Sequence, residues 1–316
     1  MGLSILLLFA VLYALLAIIA TIAGVGTPIV YALFAFLLVG VQFFIGPKIV
    51  EWTMRIRYVS ESEAPELHRM VSELALKAGI PKPRVGIAEV QIPNAFAFGT
   101  SKRNARVCVT RRLLELLSRD ELEAVLGHEL SHIKHRDMAV ITALSVIPMI
   151  CYFIYVSFFW SGLLGGGGRN REGSLPTIAI ALIAFVVYFI SNLIVLYASR
   201  IREYYADAGS VELTMKPHEL ASALYRMIYG SARLGSERET KALGSMRAFF
   251  ATDPVTARGD FQELSAADLD RNGKIDAYEL KLFAERAKTG RTERLMELFS
   301  THPNPVSRVK RLGTYL

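Results

Sequence analysis

The pattern of hydrophobic and polar positions divides the chain into long apolar stretches and two polar regions. Four stretches are long enough to cross a bilayer, which takes about 20 helical residues; they are residues 3–23, 29–45, 138–164 and 175–198. No Lys or Arg precedes the first, and only residues 24–28 separate it from the second, so we interpret it as a membrane helix and not as a cleaved signal peptide. The pattern predicts a mainly α, multi-pass membrane protein with four transmembrane helices.

The distribution of positive charge predicts how the chain is oriented. Residues 47–137 contain 15 Lys and Arg, residues 199–316 contain 19, and the loop at 165–174 contains 2. An even number of spans separates the two basic regions, so both lie on the side that the positive-inside rule assigns to the cytoplasm. We therefore expect a protein of the cell (plasma or inner) membrane with both termini in the cytoplasm. The net charge of +7 indicates this topology and attraction to a lipid bilayer, and we expect no nucleic-acid partner.

The polar regions have both helical and strand patterns. Residues 65–78 place their large apolar side chains on one helical face and are followed by Gly79, which predicts a helix that ends there. Residues 84–90, 95–99 and 106–110 have the pattern of short strands and predict a small β-sheet. Ser118, with Glu121 three residues later, forms a capping box that predicts the start of another helix.

This helix contains the residues with the most distinctive chemistry. His128 and His132 lie one turn apart on the same face, so their imidazoles can bind one zinc ion. Glu129 lies at the edge of that face, where its carboxylate can reach a zinc-bound water without being a ligand. The spacing predicts one catalytic Zn²⁺. The alternative is two ordinary histidines on a helix face with an unrelated glutamate between them.

A catalytic zinc ion usually has three protein ligands, so a third is needed. His135 is close in sequence, but the helix directs it away from the shared centre. Glu203, on the polar continuation of the fourth apolar stretch, is the better candidate. It shares a helix face with Asp207, which suits a ligand and a carboxylate that orients a ligand histidine. The alternative is that both are ordinary solvated acids.

These residues carry a resemblance to the HtpX family of integral-membrane zinc metalloproteases, which is related to the CAAX prenyl endopeptidases. The resemblance covers most of the chain. It includes the two pairs of apolar stretches and the following motifs: residues 93–99 (Pro-Asn-Ala-Phe-Ala-Phe-Gly), His128-Glu129 with His132, Ser199-Arg200 with Glu203 and Asp207, and Thr301-His302-Pro303.

The resemblance implies zinc ligation by His128, His132 and Glu203, with Glu129 as general base. It also implies endopeptidase activity on membrane proteins, and an edge strand at Asn94, Ala95, Phe96, Ala97 and Phe98 that holds the substrate in extended form. The expected fold is four transmembrane helices with a cytoplasmic α+β zincin-like (gluzincin) domain. Residues 1–46 and 138–198 would form the two transmembrane hairpins, and residues 47–137 and 199–316 the two halves of the protease domain.

Two further expectations concern the site. At 1.5 Å per residue, His132 lies about 9 Å before the third apolar stretch and Glu203 about 6 Å after the fourth, which predicts a metal at the cytoplasmic membrane surface. The oxyanion formed during peptide hydrolysis needs a donor besides zinc, and His302 is our candidate. Arg202 and Arg308 are further options, and Thr301-His302-Pro303 could equally be the start of a helix.

One segment departs from the family pattern. Residues 268–279, within the segment 261–288, fit the twelve-residue EF-hand loop, with Gly273 at position 6 and Ile275 at position 8. The predicted calcium ligands are Asp268, Asp270, Asn272, Lys274 (through its carbonyl), Asp276 and Glu279. Bound Ca²⁺ would stabilise or regulate the cytoplasmic domain. The alternative is a capped polar turn between two helices.

The function that we predict is a zinc endopeptidase that cleaves membrane proteins at the cytoplasmic face, in membrane-protein quality control. Two alternatives remain: a calcium-responsive membrane binding module without proteolysis, and a protease that processes prenylated C-terminal tails.

Overall fold

The computed structural model describes residues 27–164, 174–233, 257–287 and 297–316. Contacts divide the described residues into two compact units. One comprises those up to Gly46 together with Val140–Tyr197, and the other comprises Pro47–Ala139 and Ala198–Leu316.

The apolar stretches within the described residues form helices. These are α1 (Pro28–Thr53), α5 (Asp137–Leu144), α6 (Val146–Leu164) and α7 (Ser174–Thr214). Three segments of the described residues are long and apolar enough to cross a membrane: Ile29–Thr53, Asp137–Leu163 and Thr177–Thr214. They correspond to the second, third and fourth predicted spans, while the first, at residues 3–23, lies outside the described residues. Within the apolar unit, buried Tyr31 stacks on buried Phe153 with ring centroids 6.2 Å apart.

The polar unit contains a four-stranded sheet. Its strands are β1 (Ile56–Tyr58), β2 (Arg84–Ala88), β3 (Ala95–Gly99) and β4 (Ala105–Thr110), in the order β1-β2-β4-β3. β2 and β4 are parallel, whereas β1 pairs with β2 and β3 pairs with β4 in antiparallel fashion. The three predicted strands are therefore present, and β3 lies at an edge of the sheet.

Helices share a buried core with this sheet. They are α2 (Pro65–Ala78), α3 (Arg111–Leu116), α4 (Arg119–His135), α8 (Pro217–Ala232), α9 (Ala257–Leu264), α10 (Ala277–Arg286) and α11 (Pro305–Leu312). In α2 the predicted face is buried, and Gly79 ends the helix with a left-handed φ of 66°. The core extends from α2 and the sheet through α4 to α8 and α11, so it fixes α4 from several sides.

Two local features differ from the expectation. β1 has only three residues, too few for an alternating pattern to be recognised, and it was not predicted. The helix with the two histidines also does not continue into the third apolar stretch. Arg136 adopts a left-handed conformation (φ 58°) and its backbone N–H bonds to the carbonyl of Ile133, so α4 ends at His135 and α5 begins at Asp137. The spacing of His132 from the third stretch assumed an unbroken helix and therefore does not hold.

Candidate metal centre

Helix α4 places the two predicted histidines. Ser118 and Glu121 form the predicted capping box: the Ser118 backbone N–H donates to Glu121 Oε2 at 2.7 Å, and the Glu121 N–H donates to Ser118 Oγ at 3.4 Å. Seven and eleven residues after Glu121, His128 and His132 face the same side, and their Nε2 atoms are 3.1 Å apart. A helix of unbroken register thus brings two imidazole nitrogens to one point.

Glu203 on α7 approaches the same point. Its Oε2 lies 3.5 Å from His128 Nε2, and its Oε1 lies 3.7 Å from His132 Nε2. One ligand atom from each of the three residues lies within 4.8 Å of the other two. His128 and Glu203 are buried, so these groups face each other and not bulk water. Two imidazole nitrogens and one carboxylate form a donor set suited to zinc, and the residues fit that ion.

Two further carboxylates, those of Asp207 and Asp137, orient the imidazoles. Asp207, one turn after Glu203 on α7, has Oδ1 at 2.9 Å from His128 Nδ1. Asp137, the first residue of α5, has Oδ2 at 2.5 Å from His132 Nδ1. A carboxylate at Nδ1 holds the proton there and leaves the Nε2 lone pair free for a metal. The sequence predicted this arrangement for Asp207 but not for Asp137.

Two guanidinium groups balance these carboxylates. Arg308 of α11 donates to both oxygens of Asp207, at 2.9 and 2.6 Å, and its Nη1 lies 3.5 Å from Glu203 Oε2. Burial would lower the pKa of Arg308, but the adjacent Asp207 outweighs it and raises the pKa above its usual range. Arg202 forms an ion pair with Asp137. Neither arginine was predicted in this role, since both were considered only as oxyanion donors.

The electrostatics favour positive charge at His128. Burial would lower its pKa, but the interactions with Asp207 and Glu203 outweigh burial and raise the pKa to about 9. Burial, together with the nearby His128, lowers the pKa of His132. The carboxylates beside His128 thus favour its protonated form, whereas burial and the neighbouring His128 favour the neutral form of His132.

Glu129 is buried beside the two histidines, with 5% of its surface exposed. Within the described parts of the chain, no hydrogen bond or ion pair engages its carboxylate. Its negative charge acts on His132, where it favours the protonated form. The carboxylate is therefore available to a water molecule or a substrate, as a general base requires.

His302 is part of this cluster. Its Nδ1 lies 3.4 Å from Glu203 Oε1. The cap of α11 is Asn304, whose side chain accepts from the backbone N–H of Val306 at 2.7 Å. Thr301-His302-Pro303 therefore does not cap this helix. His135, the rejected third ligand, instead places Nδ1 2.9 Å from the carbonyl of Ser131.

The comparisons with known proteins agree with this chemistry. The sequence matches the model of peptidase family M48 over residues 61–315. The chain belongs to this family. It is 55% identical over 228 residues to a "Protease HtpX homolog" of Methanothermobacter thermautotrophicus, covering 72% of this chain and 84% of that protein. It is 42% identical over 244 residues to a "Protease HtpX homolog" of Moorella thermoacetica, covering 77% and 81%.

A solved structure shares the fold. The crystal structure of S. mikatae Ste24p matches with a TM-score of 0.56 and 15% sequence identity, over 98% of this chain and 64% of that chain. The resemblance to the HtpX family is thus confirmed, and the protein is a membrane-bound metalloprotease of family M48.

The predicted substrate strand of this M48 protease is β3 with the residue before it. Asn94 precedes the strand, and its backbone N–H donates to Thr110 Oγ1 at 2.9 Å. Ala95, Phe96, Ala97 and Phe98 form the strand and pair with β4 on one side. The other side of β3 is an edge of the sheet.

The predicted calcium loop of the M48 protease lies between α9 and α10, which supply the helical flanks expected from the sequence. Carboxylate oxygens of Asp268, Asp270 and Glu279 lie within 4.8 Å of one another. Asp276 caps α10 in a capping box with Glu279. Asn272 Oδ1 accepts from the backbone N–H of Lys274 at 2.8 Å. The loop is thus compact, with its acidic groups close together.

This loop is linked to α4 through α8. The backbone N–H of Ile275 donates to Ser222 Oγ at 3.3 Å, and Ser222 Oγ donates to Glu121 Oε1 at 2.7 Å. Glu121 is fully buried and also accepts from Arg226 at 2.6 Å. Tyr225 donates to Asp268 Oδ2 at 3.1 Å. Glu121, which belongs to the capping box of α4, therefore also contacts α8, the helix against which the loop lies.

Proposed function

We propose that this M48 protease is a zinc-dependent endopeptidase that cleaves membrane proteins at the cytoplasmic face of the cell membrane, in membrane-protein quality control. Its zinc ligands are His128, His132 and Glu203. The observation that carries the proposal is the convergence of two Nε2 atoms and one carboxylate, each imidazole being oriented by a carboxylate at Nδ1. The four apolar stretches support four membrane spans, and the distribution of Lys and Arg supports the cytoplasmic orientation.

Different residues of the chain carry out the separate steps of hydrolysis. When bound, zinc supplies a Lewis acid that polarises the substrate carbonyl and acidifies a water molecule. Glu129 accepts the proton of the attacking water and then delivers it to the leaving amine. His302 donates a hydrogen bond to the carbonyl oxygen as negative charge develops on it. Asp207 and Asp137 keep the imidazoles in the required tautomer.

The free edge of β3 holds the substrate. An extended peptide that adds to an edge strand gains main-chain hydrogen bonds, and it presents successive side chains to alternate faces. The groups of β3 that do not pair with β4 are available for this purpose. The scissile bond is then held in extended form beside α4.

The test compares the wild-type protein with Glu129→Gln in detergent, using an unfolded model substrate. We expect about one zinc per chain in both proteins. We expect cleavage to fall by at least about 10²- to 10⁴-fold in Glu129→Gln, because the general base is lost. Glu73→Gln, at an exposed position of α2, is the matched control and should cleave normally. Absence of zinc from the wild-type protein would contradict the proposal.

We also propose that residues 268–279 bind Ca²⁺ and stabilise the polar unit. The three converging carboxylates support this, as does the match to the EF-hand pattern. We expect about 1 mM Ca²⁺ to raise the thermal unfolding midpoint relative to calcium-free buffer with the same Zn²⁺ content. Glu279→Gln should abolish the shift, whereas Glu285→Gln, exposed on the same helix, should retain it. An equal midpoint with and without Ca²⁺ in the wild-type protein would exclude calcium binding.

A further inference from the structure

A groove of about 480 Å³ lies beside the proposed metal site. One wall is the end of β3 and the turn that follows it. The other is the end of α4 and the start of α5, and it includes His132. The groove therefore connects the edge strand to a residue of the metal site, as a substrate channel requires. Because a metal-ligand candidate forms part of the wall, a peptide in this groove is the favoured occupant.

Three basic residues line the groove: Lys102, Arg103 and Arg136. In the described ranges of the chain, none of the three has an ion-pair or hydrogen-bond partner for its side chain. Some other basic residues of the polar unit are paired, such as Arg106 with Glu51 at 3.0 Å and Arg111 with Glu89 at 2.7 Å. Three basic side chains without a partner among the described residues therefore line the same groove.

The acidic group on the wall does not cancel this charge. Asp137 lines the groove, but its carboxylate is already engaged by His132 Nδ1 and by Arg202. The three free cations therefore face a groove whose own carboxylate is neutralised. A substrate carboxylate entering the groove meets uncompensated positive charge.

The backbone is constrained at or next to two of these residues. Arg136 has a left-handed φ of 58°, a conformation usually taken by Gly or Asn at the end of a helix. Lys102 belongs to a short 3₁₀ turn, Lys102–Asn104, that joins β3 to β4. At the end of β3, Gly99 has a φ of 148°, and a Cβ there would lie 2.2 Å from the carbonyl oxygen of Asn104. The tight turn fixes the basic residues at the end of the edge strand.

The separation of His132 from Arg136 indicates which substrate residue meets the charge. The two positions are four residues apart, which corresponds to about 6 Å along a helix. An extended peptide advances about 3.3 Å per residue. The substrate side chain beside the cations is therefore about two residues from the bond that is cleaved.

We propose that this protease selects substrates with an acidic side chain, Asp or Glu, about two residues from the cleaved bond, on the side that lies toward the end of β3 at Gly99. Lys102, Arg103 and Arg136 form the subsite that binds this carboxylate. The inference rests on the proposed endopeptidase function, and it adds a specificity to that function.

The test uses matched peptides that differ only by Glu, Gln or Lys at each position around one cleavage site. We expect kcat/KM of the wild-type protein to be about 5- to 30-fold higher for Glu than for Gln at one position, and lower again for Lys. Raising the salt concentration to about 0.5 M should reduce the preference, because exposed charges are screened.

The variant Lys102→Gln/Arg103→Gln/Arg136→Gln should cleave the Glu and Gln peptides at similar rates, while its rate for the Gln peptide stays near that of the wild type. Arg69→Gln/Arg112→Gln/Lys281→Gln removes the same charge from exposed positions elsewhere and should keep the preference. Equal rates for Glu and Gln at every position in the wild-type protein would overturn the proposal. An equal loss for both peptides in the groove variant would also overturn it, since it indicates a structural role.

A binding measurement separates this inference from the proposed function. In the Glu129→Gln background, fluorescence anisotropy of a labelled peptide should report tighter binding of the Glu peptide, and the three groove substitutions should remove the difference. This result would support the subsite even if the wild-type protein did not cleave, in which case only the proposed function fails. If the groove substitutions instead weaken binding to vesicles of anionic lipid and leave peptide preference unchanged, the groove binds lipid and the proposal is wrong.

Discussion

At the scale of single residues, each imidazole of the candidate metal centre has its own carboxylate. Asp207 comes from the same helix as Glu203, whereas Asp137 comes from the turn that follows the helix of His132. Both contacts fix the direction of a nitrogen lone pair before any ion binds. Pre-orientation of this kind strengthens metal binding, because less conformational freedom is lost.

Asp137→Asn tests this contribution. An amide cannot balance the charge of Arg202 and cannot hold the His132 proton as a carboxylate does. We expect zinc affinity and proteolysis to fall by about 10- to 100-fold. Competition with a chelating dye measures the affinity. Asp120→Asn, exposed in the first turn of α4, is the control and should leave the affinity unchanged; an unaltered affinity in Asp137→Asn would exclude an orienting role.

Arg308→Met tests the buried charge balance. Arg308 has 2% of its surface exposed, and its replacement leaves Asp207 and Glu203 buried without their counter-charge. We expect a loss of about 3–5 kcal/mol in the free energy of unfolding. Urea denaturation in detergent measures it. Arg311→Met, on the exposed face of the same helix, should cost less than about 1 kcal/mol. Equal effects of the two substitutions would contradict the ion-pair interpretation.

Local spacing predicted the part of this site that lies on single helices. His128 and His132 are one turn apart, as are Glu203 and Asp207, so a helical projection is enough to group them. Arg308 could not be assigned in this way, since it meets Asp207 across 101 residues of sequence. Asp137 was missed for a related reason. Its approach to His132 depends on the left-handed conformation of Arg136, and no Gly or Pro in the sequence indicates that conformation.

At the scale of elements, the site depends on how closely α4 and α7 approach. The two helices meet at small residues. Ser210 Oγ donates to the carbonyl of Ala124 at 2.6 Å. A Cβ added at Gly209 would lie 2.1 Å from Ser131 Oγ, and one added at Gly127 would lie 3.2 Å from Ser210 Oγ. This contact sets the position of the two histidines of α4 relative to Glu203 on α7.

Gly209→Ala should therefore damage the site without removing any ligand. The added methyl group overlaps Ser131, so the helices must separate, and overpacking of this kind costs about 1–3 kcal/mol. We expect a lower unfolding midpoint and weaker zinc binding. Gly127→Ala is the matched control, because a Cβ there would lie 3.2 Å from Ser210 Oγ and small shifts relieve that contact. Ser131→Gly combined with Gly209→Ala should restore zinc binding; if it does not, the close approach is not the cause.

The sequence predicted the elements of the polar unit whose signals are local. The capping box of Ser118 and Glu121 and the glycine that ends α2 both act within a few residues. The parallel pairing of β2 with β4 and the three-residue β1 depend on tertiary contacts, so they have no comparable local signal.

At the scale of the whole molecule, a metal ion would join elements that are distant in sequence. The three proposed ligands lie on α4 and α7, and Arg308 of α11 contacts the last of them. An ion bound there stabilises the folded protein relative to the unfolded chain, by about 4 kcal/mol at a concentration about 1,000 times its Kd.

Removal of the metal should therefore lower stability as well as abolish activity. We expect a zinc chelator to lower the thermal unfolding midpoint by about 10 °C. Added Zn²⁺ should restore it, whereas Mg²⁺, which prefers oxygen ligands, should not. Differential scanning fluorimetry in detergent measures the shift. The same experiment on His132→Ala is the control, and an identical shift there would mean that the chelator acts at another site.

The residues of the site are synthesised in a fixed order, from the N-terminal ones to the C-terminal ones. The ribosome makes Arg308 101 residues after Asp207, the carboxylate that it binds. At about 5–20 residues per second, this delay is about 5–20 s. During that time both imidazoles and Glu203 exist, but Asp207 has no guanidinium partner to keep it against His128. We expect the newly synthesised protease to be inactive until α11 has docked, so that its activity begins only after the chain is complete.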